Sequence, residues 1–147
     1  MEKYKFLFPL EVTVRELIYK MALAIKFADS GHECYIGSKG DMLKLFDEVS
    51  PFVYFDKGYH EDVSEDLFYK PVKKRGGLIV SLDEEGGVDT EDFHSISRRY
   101  PDKIFDYFGK IFIWGPEQRN FLKESRLKYD KEKFIVSGHP RFQLLKE

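Results

Sequence analysis

Residues 78–82 read Leu-Ile-Val-Ser-Leu, the clearest strand pattern in the chain, and residues 83–86 follow it with Asp-Glu-Glu-Gly. A short apolar run bounded by turn residues is typical of a strand that is buried on both faces. Five similar runs occur along the chain, at residues 4–10, 34–36, 52–55, 111–114 and 134–136. Strands buried on both faces belong mainly to parallel sheets, so residues 78–82 predict an α/β protein.

Helical patterns separate these six runs. From Val14 to Ala28, apolar residues recur at three- and four-residue spacing, which is the apolar stripe of an amphipathic helix. Further helices are predicted over residues 41–49, 64–69 and 90–100, and Pro116 stands where a first-turn proline opens another. Parallel neighbours need crossover connections, so we predict a doubly wound, mostly parallel sheet of about six strands with helices on both faces.

Composition excludes several classes of protein. With 147 residues, 42% hydrophobic residues and a net charge of −2, the chain has the size and balance of one globular domain. Its 24 basic residues against 26 acidic ones give no basic field, so we expect no nucleic-acid partner. The single cysteine, Cys34, excludes an internal disulfide, and no cysteine and histidine spacing indicates zinc. Because no apolar run is long enough to cross a bilayer, we expect a cytoplasmic protein.

Ionisable residues follow every predicted strand, at the edge where parallel sheets bind ligands. The most acidic of these segments is Asp83-Glu84-Glu85, followed by Gly86. Three crowded carboxylates repel one another, and one of them can act as a general base toward a substrate hydroxyl. An acidic turn before a helix explains the same residues without any catalysis. The sequence leaves these two interpretations open.

Four other residues are candidates for binding. Glu11 and Arg15 lie where the first strand turns into the first helix. An arginine at this position can bind a phosphate or carboxylate of a ligand. The alternative is that the two residues form only a surface ion pair. His139 lies between a glycine and a proline; it is either a catalytic acid or binding residue, or a structural residue of the turn. Trp114 either stacks on a sugar or base, or packs in the protein interior. No glycine-rich fingerprint for a dinucleotide or nucleotide phosphate is present.

The order of these motifs resembles the surface carbohydrate (surface polysaccharide) biosynthesis proteins. These are glycosyltransferase-like enzymes of the GT-B architecture, distantly akin to the glycerophosphotransferases of teichoic-acid synthesis. The resemblance covers nearly all 147 residues and rests on Phe8-Pro9-Leu10-Glu11-Val12, Arg15-Glu16-Leu17, Gly31-His32-Glu33, Tyr35-Ile36-Gly37, Asp83-Glu84-Glu85-Gly86, Trp114-Gly115 and Gly138-His139-Pro140-Arg141-Phe142. The last motif more usually has Asn in place of His139 and Asp in place of Gln143.

The resemblance implies that residues 1–147 form one Rossmann-like domain, the acceptor-side half of a GT-B enzyme. The C-terminal half, which binds the nucleotide-sugar, is absent from this chain, so we expect the isolated chain to be inactive. The implied catalytic candidates are Asp83, Glu84 and Glu85, and the implied acceptor-binding residues are Glu11, Arg15, Gly86, Trp114, His139 and Arg141. No metal or other cofactor is implied.

The resemblance also implies the partners. These are a glycan acceptor and a nucleotide-sugar donor. The implied location is the cytoplasm, and the resemblance leaves open whether the protein associates peripherally with the inner face of the membrane. The alternative is a non-catalytic Rossmann-like module that binds a sugar nucleotide or a partner protein. Neither the donor sugar nor the acceptor follows from the sequence, nor does the stereochemical outcome or the identity of the reactive acid.

Overall fold

A computed structural model describes residues 2–59, 64–84, 99–124, 130 and 132–145. The strands are β1 (Lys5–Leu10), β2 (Glu33–Ser38), β3 (Val53–Asp56), β4 (Leu78–Leu82), β5 (Phe108–Ile113) and β6 (Phe134–Val136). The helices are α1 (Thr13–Asp29), α2 (Lys39–Val49), α3 (Lys70–Lys74), α4 (Ile104–Tyr107), α5 (Pro116–Glu124) and α6 (Pro140–Gln143), and a π-helical turn, Glu65–Tyr69, leads into α3. Among these residues, no helix combines the length and apolar character needed to cross a bilayer.

The six strands form one sheet in the order β2-β1-β3-β4-β5-β6, and every neighbouring pair is parallel. The predicted α/β, Rossmann-like, parallel fold is therefore confirmed. The chain runs from β1 to β2 in one direction and then from β3 to β6 in the other. The sheet therefore has a topological switch point between β1 and β3, and ligands of open α/β sheets bind at such points.

The reversal of direction distributes the helices over the two faces of the sheet. Because crossovers between parallel strands are right-handed, α1 covers one face and α2, α3, α4 and α5 cover the other, whereas α6 contacts α1. Adjacent residues in each strand point to opposite faces. One face packs Leu7, Tyr54, Ile79 and Ile111 against Phe46, Val72, Ile104 and Leu122. The other packs Phe8, Phe55 and Val80 against Ala24 of α1.

Helix boundaries agree with the predicted ones in most places. Helix α2 begins at Lys39, slightly earlier than predicted, because the Ser38 hydroxyl accepts a hydrogen bond from the Asp41 backbone N–H at 3.2 Å. The helix predicted over residues 64–69 is present as the π-helical turn and continues through α3. Most of the helix predicted over residues 90–100 lies outside the described residues.

The orientation of α1 differs from what its pattern indicated. Val14, Ile18, Met21 and Ile25, four members of the apolar stripe, are exposed to solvent. The residues that α1 buries are Glu16, Tyr19, Lys20 and Ala24. Helix α1 therefore turns a partly charged face toward the sheet.

Candidate functional site

Four charged residues meet at the topological switch point. Glu11 follows β1, Lys39 opens α2, Asp56 ends β3 and Lys57 follows it. The Glu11 carboxylate contacts the ammonium groups of both Lys39 and Lys57. Lys39 Nζ lies 3.5 Å from Asp56 Oδ1, which also accepts a hydrogen bond from the Lys57 backbone N–H at 2.8 Å. The carboxyl ends of β1 and β3 are thus joined by ion pairs.

These ion pairs keep Glu11 charged. Burial opposes its ionisation, but the ammonium groups of Lys39 and Lys57 outweigh that effect and lower the pKa of Glu11 from 4.5 to about 2. Burial likewise tends to lower the pKa of Lys39, yet the neighbouring Asp56 and Glu11 carboxylates leave it raised overall. At neutral pH, Glu11 and Lys39 are therefore both ionised.

Helix α1 contributes a second charged pair, Glu16 and Lys20, which is buried against the sheet. Glu16 accepts hydrogen bonds from the backbone N–H groups of Glu11 at 3.0 Å and Val12 at 3.1 Å, near the start of the helix. Lys20 Nζ donates to Glu16 at 2.9 Å and to the Pro9 carbonyl at 2.6 Å. Burial lowers the pKa of Lys20, and Glu16 offsets this only in part. The pair fixes α1 to the end of β1.

Sequence reasoning did not single out Glu16 and Lys20 as functional residues. The signal available was their four-residue spacing, which places a glutamate and a lysine on one face of a helix. That spacing usually marks an exposed pair. Arg15, which was predicted as an anion ligand, has Nη2 3.4 Å from Glu16 Oε1 and is only partly buried.

Glu84 is the most distinctive group at this edge of the sheet. It lies two residues after β4 and is 3% exposed. Its Oε1 is 3.8 Å from Lys20 Nζ, and its Oε2 is 3.6 Å from His139 Nε2. Both distances allow electrostatic attraction but exceed the range of a hydrogen bond. Neither carboxylate oxygen accepts a hydrogen bond from any residue that the structure describes.

His139 presents a donor to Glu84. Its Nδ1 accepts a hydrogen bond from the backbone N–H of Arg141 at 3.2 Å, so in the neutral ring the proton is assigned to Nε2. Nε2 is buried, faces Glu84, and has no hydrogen-bond partner within the described part of the chain. Three buried polar atoms, two on Glu84 and one on His139, are thus unsatisfied in one place.

The neighbouring carboxylate, Asp83, has a different environment. The Tyr100 hydroxyl donates to its Oδ2 at 3.0 Å, Gln118 Nε2 approaches the same atom at 3.4 Å, and Arg99 Nη2 lies at 3.3 Å. The Asp83 carbonyl oxygen accepts a hydrogen bond from the Trp114 indole at 2.6 Å. Asp83 therefore anchors the turn after β4 to the rest of the fold.

Aromatic rings enclose His139. The Tyr19 ring meets it edge-on with centroids 4.9 Å apart, and the centroid of the Trp114 ring lies 5.0 Å from that of His139. Phe142 packs against Trp114 at 5.1 Å. The Trp114 backbone N–H donates to Gln118 Oε1 at 2.8 Å, which fixes the end of β5. Trp114 thus packs within the domain, as the structural interpretation of this residue expected.

A small pocket at the carboxyl edge of the sheet is lined in part by residue 84. Its volume is about 50 Å³, and its described lining residues are Lys57, Gly58, Tyr59, Asp83, Glu84, Arg99 and Tyr100. A space of this kind holds a few water molecules or one hydroxymethyl-sized group, since a single water needs roughly 10–15 Å³. The pocket combines carboxylates, cations and aromatic rings.

The structure brings most of the predicted site residues to one edge, in two groups. Glu84, His139 and Trp114 lie together, and Glu11 and Arg15 lie with Glu16. The first and fourth strands are commonly neighbours in this topology, and we expect the same of this sequence. That expectation is wrong, because β3 lies between β1 and β4. The two groups are connected instead by the Lys20 side chain, which contacts both Glu16 and Glu84.

Three predicted site residues contribute less than expected or are not described. Arg141 reaches His139 only through its backbone N–H, and its guanidinium lies 5.5 Å from the Phe142 ring centre. Glu85 and Gly86 lie outside the described residues. Over the ranges that are described, no three His, Cys, Asp or Glu side chains are grouped so as to hold a metal ion. Comparison of the chain with protein-family models, with curated proteins and with solved structures gives no match.

Proposed function

We propose that this domain binds a hydroxylated acceptor of the sugar class at Glu84 and serves as the acceptor half of a glycosyltransferase of surface polysaccharide synthesis. The observation that carries the proposal is the buried Glu84 carboxylate, whose two oxygens lack hydrogen-bond partners within the described residues and which belongs to a residue at the edge of the pocket. A buried unsatisfied carboxylate is costly, and it is found where a ligand or an ordered water completes the bonding.

A hydroxyl group complements this arrangement. It can donate its proton to a Glu84 oxygen and accept from His139 Nε2–H, whose present separation from Glu84 Oε2 is 3.6 Å. The Lys20 ammonium, 3.8 Å from the other Glu84 oxygen, supplies the compensating positive charge. Tyr59 and Tyr100, both buried, line the pocket beside residue 84.

In the proposed reaction, Glu84 is the general base. It takes the proton of the acceptor hydroxyl while that oxygen forms a bond to the anomeric carbon of an activated sugar. The bond from the anomeric carbon to the leaving diphosphate breaks, and the diphosphate departs with the electron pair. His139 and Lys20 orient and balance the carboxylate. Asp83 holds the turn in place through Tyr100 and is not the base.

The binding step can be tested on the 147-residue chain. Saturation-transfer NMR with glucose, galactose, N-acetylglucosamine and glycerol should detect at least one ligand of the wild-type protein. Glu84→Gln keeps the shape of the side chain but removes the charge, and it should weaken that ligand's binding roughly tenfold, as expected for a lost charge-assisted hydrogen bond. The control, Glu48→Gln, changes an exposed glutamate of α2 in the same way and should leave binding unchanged.

A second variant guards against a folding defect in Glu84→Gln. His139→Asn keeps an acceptor for the Arg141 N–H but removes the Nε2–H that faces Glu84. It should also weaken sugar binding, and thermal unfolding should show that the domain remains folded. If none of the four ligands binds the wild-type protein, or if both variants bind as it does, the acceptor site is not at Glu84.

A further inference from the structure

The outer face of α1 carries a continuous apolar stripe. Val14 is 92% exposed, Ile18 73%, Met21 45% and Ile25 57%. Their spacing of four, three and four residues places all four side chains on one side of the helix. Single exposed apolar residues are ordinary, but a contiguous apolar patch of this kind marks an interaction surface.

The stripe is not an extension of the core. Helix α1 reaches the sheet through its opposite face, where Glu16 and Lys20 are buried. Helix α1 thus buries Glu16 and Lys20 beside Tyr19 and Ala24 and leaves an apolar stripe exposed, whereas an ordinary surface helix buries its apolar stripe. Apart from Asp29 at the end of the helix, the outer face is apolar, and a second surface that covers it would explain this.

We propose that a second copy of this chain covers the stripe, with the two α1 helices antiparallel across a two-fold axis. The spacing of four, three and four residues is the same in both directions, so the stripe is complementary to itself. An antiparallel pair places Ile18 opposite the partner's Met21 and Val14 opposite the partner's Ile25. A two-fold interface requires this reciprocity, because the same patch serves both subunits. This inference is independent of the proposed sugar site.

Complete burial of the stripe in both copies would just reach the size of a small specific interface. Applied to whole-residue areas, the four exposed fractions amount to roughly 500 Å² per copy, or about 1,000 Å² for the pair, which is the lower limit for a biological interface. Ala22, half-buried, and Ala28, exposed, lie on the two flanks of the stripe and are small enough to allow close approach of the helices. The predicted dimer is therefore weak and depends on concentration.

Sedimentation velocity tests the proposal. The wild-type chain should shift from monomer to dimer between about 1 and 300 µM. Because Ile18 would lie at the centre of the interface, Ile18→Glu should raise the dissociation constant of the dimer ~30-fold or more. The matched control is Leu67→Glu, since Leu67 is a 48% exposed apolar residue outside α1. It should dimerise like the wild type. Thermal unfolding should show both variants to be folded, because both positions are exposed.

The antiparallel arrangement has a separate test. In a Cys34→Ala background, an equimolar mixture of Ile18→Cys chains and Met21→Cys chains should form an intermolecular disulfide between residues 18 and 21 on mild oxidation, faster than either variant alone, whereas a mixture of Ile18→Cys and Leu67→Cys chains should not. A wild-type chain that stays monomeric at 300 µM, or a dimer unaffected by Ile18→Glu, would overturn the proposal. A dimer that fails to cross-link through residues 18 and 21 would overturn the antiparallel pairing.

Discussion

Replacing Glu11 by Gln tests the ion pairs at the switch point. The pKa of Glu11 falls from 4.5 to about 2 in the folded protein. At 1.36 kcal/mol per tenfold change, that difference corresponds to about 3.4 kcal/mol of stability at neutral pH. The Glu11 side chain is 29% exposed, so solvent screening reduces this, and we expect Glu11→Gln to lower the free energy of unfolding by about 1.5–3 kcal/mol at pH 7.

The pH dependence distinguishes this effect from a loss of packing. Because the pKa of Glu11 is lower in the folded state, its contribution is fully present above pH 4.5 and is lost as the pH falls toward 2. The wild type and Glu11→Gln should therefore converge on acidification. Urea unfolding followed by circular dichroism at pH 7, 5.5, 4 and 3 measures the difference in unfolding free energy at each pH.

The matched control for this series is again Glu48→Gln, which removes one exposed carboxylate of α2. Its difference from the wild type should stay within about 0.5 kcal/mol at every pH. A difference for Glu11→Gln that is below 0.5 kcal/mol at pH 7, or that is the same at pH 7 and pH 3, would refute the reasoning.

Three further substitutions test other parts of the domain by urea unfolding. Tyr54→Phe removes a buried hydroxyl without a hydrogen-bond partner among the described residues, so the free energy of unfolding should stay equal or rise by up to about 1 kcal/mol; a loss above 1 kcal/mol would show that the hydroxyl is bonded. Gln118→Ala should lower the free energy of unfolding by about 1–3 kcal/mol and change the fluorescence emission of Trp114, the single tryptophan. Unchanged emission would contradict the role of Gln118 in holding Trp114. Lys20→Met leaves Glu16 without its buried cation and should lower the free energy of unfolding by about 3 kcal/mol or more. A decrease below about 1 kcal/mol would mean that the fold does not depend on the Glu16–Lys20 pair.

The sequence was sufficient to predict the fold class because the buried strands are short and uniformly apolar. Residues 78–82 form β4 as predicted, and the other five apolar runs each correspond to a strand. Strand order could not be predicted in the same way. Hydrophobic periodicity determines the type of an element, whereas the position of β3 between β1 and β4 depends on the direction of each crossover.

The candidate site was predicted only in part. That an acid after β4 points inward was expected, and both Asp83 and Glu84 are buried. Their different environments were not predictable, because they depend on Tyr100 and Lys20, which are distant from them in sequence. For α1 the pattern predicted a helix but not its orientation, since burial of Glu16 and Lys20 becomes favourable only when the fold supplies their partners.

The contact between Glu84 and His139 also determines when the site can form during synthesis. Ribosomes release the chain from its amino terminus, and early segments begin to fold before later ones emerge. β1, α1 and β4 can therefore associate while residue 139 is still being made. Until then Glu84 lacks its contact with His139, and the completed environment of its carboxylate waits for the segment after β6. An incomplete chain would thus contain most of the sheet but not the buried carboxylate on which the proposed site depends.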